Sequence, residues 1–224
     1  MYNFNKNTYL KKHNKFFAAY DAKYANRTTP LFEDGVICPD KYQGIVFLLK
    51  EAYDRDNANL SHSLIDDLLK REPWGMWNHV AEWAYGLTQT TPNKIPAFNK
   101  NLPKQKKREA IDSIAVINIK KVAGKPISDD AEIMTYAEEN ACSLLQELEA
   151  AQPQIIVCGG TMKYLDKILG ITRKKHCDNW FYWLDIGTQK NVLVLDYCHP
   201  AIRSYSLLYY YGITNVYQQA LLSK

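Results

Sequence analysis

Apolar and polar positions along this chain fall into blocks of two lengths. Four blocks are short and almost continuously apolar: "GIVFLLKEAYD" (44–54), "DSIAVINIKKVAG" (112–124), "PQIIVCGG" (153–160) and "NVLVLDYCHP" (191–200). Runs of this kind, apolar at successive positions, read as strands buried on both faces. The longer blocks carry a helical period. They are "LSHSLIDDLLKREPWGMWNHVAEWAYGL" (60–87), broken at Pro73-Trp74-Gly75; "SDDAEIMTYAEENACSLLQELEAAQ" (128–152); "TMKYLDKILG" (161–170), closed by Gly170; and the C-terminal "SYSLLYYYGITNVYQQALLSK" (204–224). Ser128 or Asp129 is the expected N-cap of the second, with acidic residues complementing its dipole. "FYWLDIG" (181–187) reads as a short additional strand, and aromatics at Phe4, Tyr9, Phe16, Phe17, Tyr20 and Tyr24 predict a helix near the N-terminus.

Strands alternating with helices predict an α/β domain with a central, mostly parallel four-stranded sheet and helices on both faces. The 224 residues suit a single domain spanning 1–224, with residues 1–40 as an N-terminal helical extension packed on it. Composition changes this picture little. No apolar run approaches the roughly 20 residues of a membrane span, and the basic, aromatic N-terminus lacks the apolar core of a secretory signal. A cytoplasmic monomer without a membrane partner is expected. The five scattered cysteines form no CxxC pair and read as reduced thiols.

Charge adds more. The net +4 is modest, but Lys104, Lys106, Lys107 and Arg108 cluster in "KNLPKQKKRE" (100–109), read as a loop, and Arg173, Lys174 and Lys175 cluster in "TRKKHC". Local basic runs suit a phosphate backbone through counterion release, while a solvated loop is the plainer reading of either.

In parallel α/β sheets, ligand chemistry gathers beyond the carboxyl ends of the strands. Here those ends hold Lys50-Glu51-Ala52-Tyr53-Asp54, Asn118, Gly159-Gly160 and Asp196-Tyr197-Cys198-His199-Pro200. The set resembles the uracil-DNA glycosylase superfamily: Glu51-Ala52 matches the Glu-Ala of a first-strand motif, Asn118 the base-reading Asn, and His199-Pro200 the closing His-Pro. The likeness spans residues 44–206. Lys50 replaces a Gly, Tyr53-Asp54 replaces Pro-Gly, and Ala201-Ile202 replaces Ser-Pro, which leaves the identity of the base open.

The resemblance implies a DNA glycosylase with DNA as partner, monofunctional because nothing in it calls for the bifunctional route that a lysine nucleophile at Lys50 would open. Some branches hold an iron-sulfur cluster, but this chain lacks their paired cysteine spacing, and no cofactor or metal is expected. Breaking an N-glycosidic bond builds positive charge on the sugar and negative charge on the leaving base. Glu51 suits the first, with Asp54 next in line, and His199 the second. Asn118 would read the flipped base, Trp77 would stack on it, and Ala52 and Tyr53 would flank it; Trp83 belongs to the core. Ile202 would wedge the vacated stack or pack under the C-terminal helix, while Arg203 and Ser204 would meet the backbone. The competing readings are a glycosylase-fold protein that binds nucleic acid without cutting, and an enzyme of free nucleosides. Repair and defence against phage DNA with modified bases are the expected settings for the glycosylase.

Overall fold

The structure is a computed structural model and describes residues 4–26, 31–53, 61–124, 127–171, 180–202 and 206–223. Its framework is a mixed α/β sheet. In chain order the elements are α1 (Lys6–Lys23), β1 (Leu31–Glu33), β2 (Gly35–Val36), β3 (Ile45–Tyr53), β4 (Ser61–Ser63), α2 (Leu64–Lys70), α3 (Met76–Gln89) and α4 (Lys104–Asp112). There follow β5 (Ile114–Gly124), α5 (Asp130–Glu139), α6 (Ala141–Ala150), β6 (Ile155–Gly159), α7 (Met162–Leu169), β7 (Phe181–Ile186), β8 (Gln189–Tyr197) and α8 (Ser206–Leu222).

The four apolar runs are β5, β3, β6 and β8, side by side in that order and parallel throughout. The sheet is larger than the four strands expected, and mixed. Its path runs β4-β1-β5-β3-β6-β8-β7, with β2 paired beside β5, and β1, β2 and β7 join antiparallel to their core neighbours. β1, β2 and β4 span only three, two and three residues, too short for any period to register. Two of them lie inside the stretch read as a helical extension, of which α1 is the helical part.

Helices cover both faces. Side chains of α2, α3, α4 and α8 meet Phe47, Leu49, Ile114 and Val116 on one side. Those of α1, α5, α6 and α7 meet Val46, Leu48, Ile117 and Ile119 on the other. Successive residues of one strand thus serve opposite cores, as the pleat requires. Asp129 caps α5 by accepting from the N–H groups of Ala131 and Glu132. The single helix expected over 128–152 breaks at Asn140, whose side chain donates to the Tyr136 carbonyl and the Tyr24 hydroxyl. The basic run is a helix from Lys104 onwards, not a loop, because Lys, Gln, Arg, Glu and Ala are good helix formers even without an apolar period. No helix among the described residues is long and apolar enough to cross a membrane.

A buried charge cluster joins three elements. Lys121 of β5, fully buried, lies 2.6 Å from Asp34 in the β1–β2 corner and 2.7 Å from Glu147 of α6. Asp34 also accepts from the N–H and side-chain amide of Asn118, at 2.8 and 2.9 Å. One ammonium cannot neutralise two carboxylates. Burial and the neighbouring Asp34 push the Glu147 carboxyl well above the usual range despite Lys121. For Lys121, burial favours the neutral amine, but the two carboxylates outweigh it and hold its pKa above the ordinary value.

Removing the cation should be severe: Lys121→Ala leaves buried carboxylates uncompensated and is expected to cost about 3–5 kcal/mol in denaturant unfolding. Glu147→Gln should behave oppositely. A raised folded-state pKa stabilises below the ordinary carboxylate value and is lost as pH rises through the raised one. The permanently neutral Gln should therefore gain on the native protein, in melting temperature, as pH is taken from 5 to 8.

Candidate active site

The chain enters the parallel core at β3, steps out to β5, then returns to the other side of β3 at β6 and continues to β8. The connection after β3 runs through α2, α3 and α4 on one face; those after β5 and β6 run through α5, α6 and α7 on the other. Connections therefore part company on both sides of β3, the kind of switch point beyond whose carboxyl ends parallel sheets hold their ligand crevice.

Two adjacent glycines close the end of β6 there. A Cβ on Gly159 would fall 2.7 Å from Leu49 Cδ2 and 3.2 Å from Pro200 Cδ, so its absence lets the β8 loop close over β6. Gly160 has φ +69°, and its N–H donates to the Tyr197 carbonyl at 2.7 Å. Thr161 then starts α7, but its hydroxyl donates to the Leu48 carbonyl at 2.7 Å, and no side chain caps that helix.

His199 sits on the loop so held. Burial, and next the charge of Lys50, pull its pKa down to about 4, so the ring is neutral near pH 7. Ala201 N–H donates to Nδ1 at 3.2 Å, which makes Nδ1 an acceptor and leaves the ring proton on Nε2. Nε2–H is therefore a donor. Lys50 lies 2.7 Å from Asp130, which also receives Lys163 at 2.6 Å and the Tyr164 hydroxyl at 2.8 Å. These donors hold the Asp130 carboxyl far below its usual range, Lys163 contributing most.

Glu51 follows Lys50 and is only 4% exposed. Its Oε2 lies 3.0 Å from Lys120, which reaches Glu132 of α5 at 2.7 Å, while its Oε1 is buried with no hydrogen-bond partner among the described residues. Room for the carboxylate comes from Gly124, where a Cβ would fall 2.0 Å from Glu51 Cδ. The β3–β5 register shifts here, Glu51 pairing with Lys120 but Tyr53 with Gly124, and such irregularities re-aim side chains.

Other expected residues are placed differently. Asn118 is 2% exposed and gives its amide to Asp34, because that buried carboxylate needs donors, so it presents no edge to the crevice. Trp77 is 6% exposed and lies within the core on the α3 face, as does Trp83; Ala52 and Ile202 pack against the same core. Arg108 is structural: it pairs with Asp112 and donates to the carbonyls of Leu68, Leu69 and Arg71 at the end of α2. Lys104 pairs with Glu72, Lys106 lies over the Tyr85 ring, and Lys107 donates to Asn78 at 2.8 Å. Asp54, Arg173, Lys174, Lys175, Arg203, Ser204 and the Tyr53 side chain lie outside the described residues.

Sequence reasoning passed over Lys120, Asp130 and Lys163, whose partners come from distant elements, and His79, hidden in an apolar helix. A groove of about 460 Å³ between α1 and α6, lined in part by Phe16, Tyr20 and Glu147, shares no residue with the strand-end set. Its lining also carries charged groups, but His13 is engaged with Glu33 and Glu147 with Lys121, so the strand ends that gather Lys50, Glu51 and His199 are the better candidate. No family model matches the chain, and no curated protein matches it.

A titration checks the electrostatics. His199, followed by its imidazole NMR signals, should protonate near pH 4, and Lys50→Met should raise that value modestly. Because the folded-state pKa lies below the ordinary 6.5, stability from this group is present above pH 6.5 and lost as pH falls towards 4.

Proposed function

We propose that the chain is a monofunctional DNA glycosylase that hydrolyses the N-glycosidic bond of uracil or another modified base flipped out of DNA, in repair or in defence against phage DNA. The observation that carries this reading is His199: a neutral imidazole beyond the end of β8 with its one proton on Nε2. A departing base accumulates negative charge, and a donor aimed at it lowers the barrier without having to lose a proton. Glu51 supplies the opposite pole. Lys120 fixes one carboxylate oxygen; Oε1, buried and without a hydrogen-bond partner among the described residues, is the one left for positive charge at the sugar or for the attacking water, and reaching either requires the end of β3 to open on substrate binding.

Lys50 stands where a lysine nucleophile would, but its ion pair with Asp130 argues for hydrolysis by water. Lys107 donates to Asn78, one residue from the His79 that touches Pro200, while Lys106 meets Tyr85 about two turns further along the same helix. That arrangement suits a phosphate backbone running past the crevice.

A second reading has its own support. With Asn118 committed to Asp34 and Trp77 in the core, the groups expected to read and stack a base are occupied, as in a protein that grips nucleic acid without cutting.

Single- and double-stranded oligonucleotides carrying a panel of bases, followed by alkaline cleavage at abasic sites, separate the two. Base release from at least one substrate is expected. Glu51→Gln should slow it by roughly tenfold or more, about 1.4 kcal/mol, with DNA affinity little changed. Replacing Lys104, Lys106 and Lys107 with Ala should flatten the salt dependence of binding. Salt-dependent binding with no release from any base would select the second reading.

A further inference from the structure

The loop between β8 and α8 carries His199, and an imidazole from another element holds it at two points. His79, on the first turns of α3, lies with Nδ1 2.8 Å from the Pro200 carbonyl oxygen and Nε2 3.1 Å from Ser206 Oγ. A carbonyl only accepts, so Nδ1 carries the proton; in the neutral ring Nε2 then accepts from the Ser206 hydroxyl. One side chain thus joins the peptide next to His199 to the first residue of α8.

The remaining restraints on His199 come from elsewhere. Pro200 is buried against Gly159, and the Gly160 N–H holds the Tyr197 carbonyl. These fix the start of the loop on β6. Among the described residues, the side-chain hydrogen bonds to the Pro200 carbonyl and to Ser206 both come from His79. The Ala201 N–H on Nδ1 ties the ring to its own loop, so the direction of Nε2–H follows the placement of residues 199–201, and a misplacement near 1 Å can cost about a hundredfold in rate.

We infer that His79 is a positioning residue that sets the orientation of His199 in the crevice by clamping Pro200 to Ser206. Its effect on base release rests on the glycosylase reading; the clamp itself does not.

Three variants test it: His79→Ala removes both bonds, His79→Asn keeps a donor near the Nδ1 position, and Ser206→Ala removes only the second bond. In His79→Ala, kcat for base release should fall roughly ten- to a hundredfold with KM within about twofold. The His199 titration should move upward from about 4 towards 6.5 as the ring gains water. Asn should restore most of both, and Ser206→Ala should lie between. An unchanged His199 titration in all three variants would overturn the clamp, as would a rate loss that Asn does not rescue while that titration stays put. Should wild type release no base, the glycosylase reading falls by itself, and the titration still decides the clamp. If His79→Ala does not fold, the Asn and Ser206 variants carry the comparison.

Discussion

The Lys121 ammonium between Asp34 and Glu147 is the interaction on which the rest of the architecture leans. Desolvating three ionisable groups is expensive, and a buried cluster of this kind contributes little net stability compared with apolar packing. What it supplies is specificity of placement. Asp34 draws in Lys121 and both donors of Asn118, which sets the β1–β2 corner against β5; Glu147 brings α6 onto the same strand. Any other register would strand a charge in a dry interior.

The same strand organises the crevice one residue earlier. Lys120 joins Glu51 at the end of β3 to Glu132 on α5, so β5 delivers consecutive lysines to two separate carboxylate pairs. The shifted register and Gly124 create the space into which Glu51 turns. Structure and chemistry therefore share a strand: the part of β5 that locks the fold also holds the candidate carboxylate in place. His199 is positioned independently, by the glycine turn of β6 on one side and α3 on the other.

Much of this was legible in the residues. Continuous apolar runs revealed the four core strands, and the helical period revealed α1, α3, α7 and α8, because burial on two faces or on one stripe leaves a periodic trace. Placement of Glu51 and His199 at strand ends followed from the same runs. Three things left no trace. β1, β2 and β4 are shorter than any period; β1 and β2 form against the longer β5, and β4 against β1. α4 has no apolar stripe over its first turns, so its helix was hidden by its charge. The buried ion pairs join residues such as Asp34 and Lys121 that lie 87 positions apart, and no local pattern records such a partnership. Asn118 shows the consequence: a strand-end amide invites a binding role, yet a carboxylate from across the corner had prior use for it.

Gly159 and Gly160 stand side by side, yet they are constrained by different physics. At 159 the limit is space, since Leu49 is 1% exposed and the Pro200 ring is rigid, so neither can make way for a methyl group. At 160 the limit is backbone handedness, and the nearest atoms to a Cβ are 3.8 Å away. Neutral drift would treat the two unequally. An asparagine, which tolerates left-handed geometry, is an accessible step at 160, whereas at 159 no single substitution is open without a compensating change in the loop that carries the histidine.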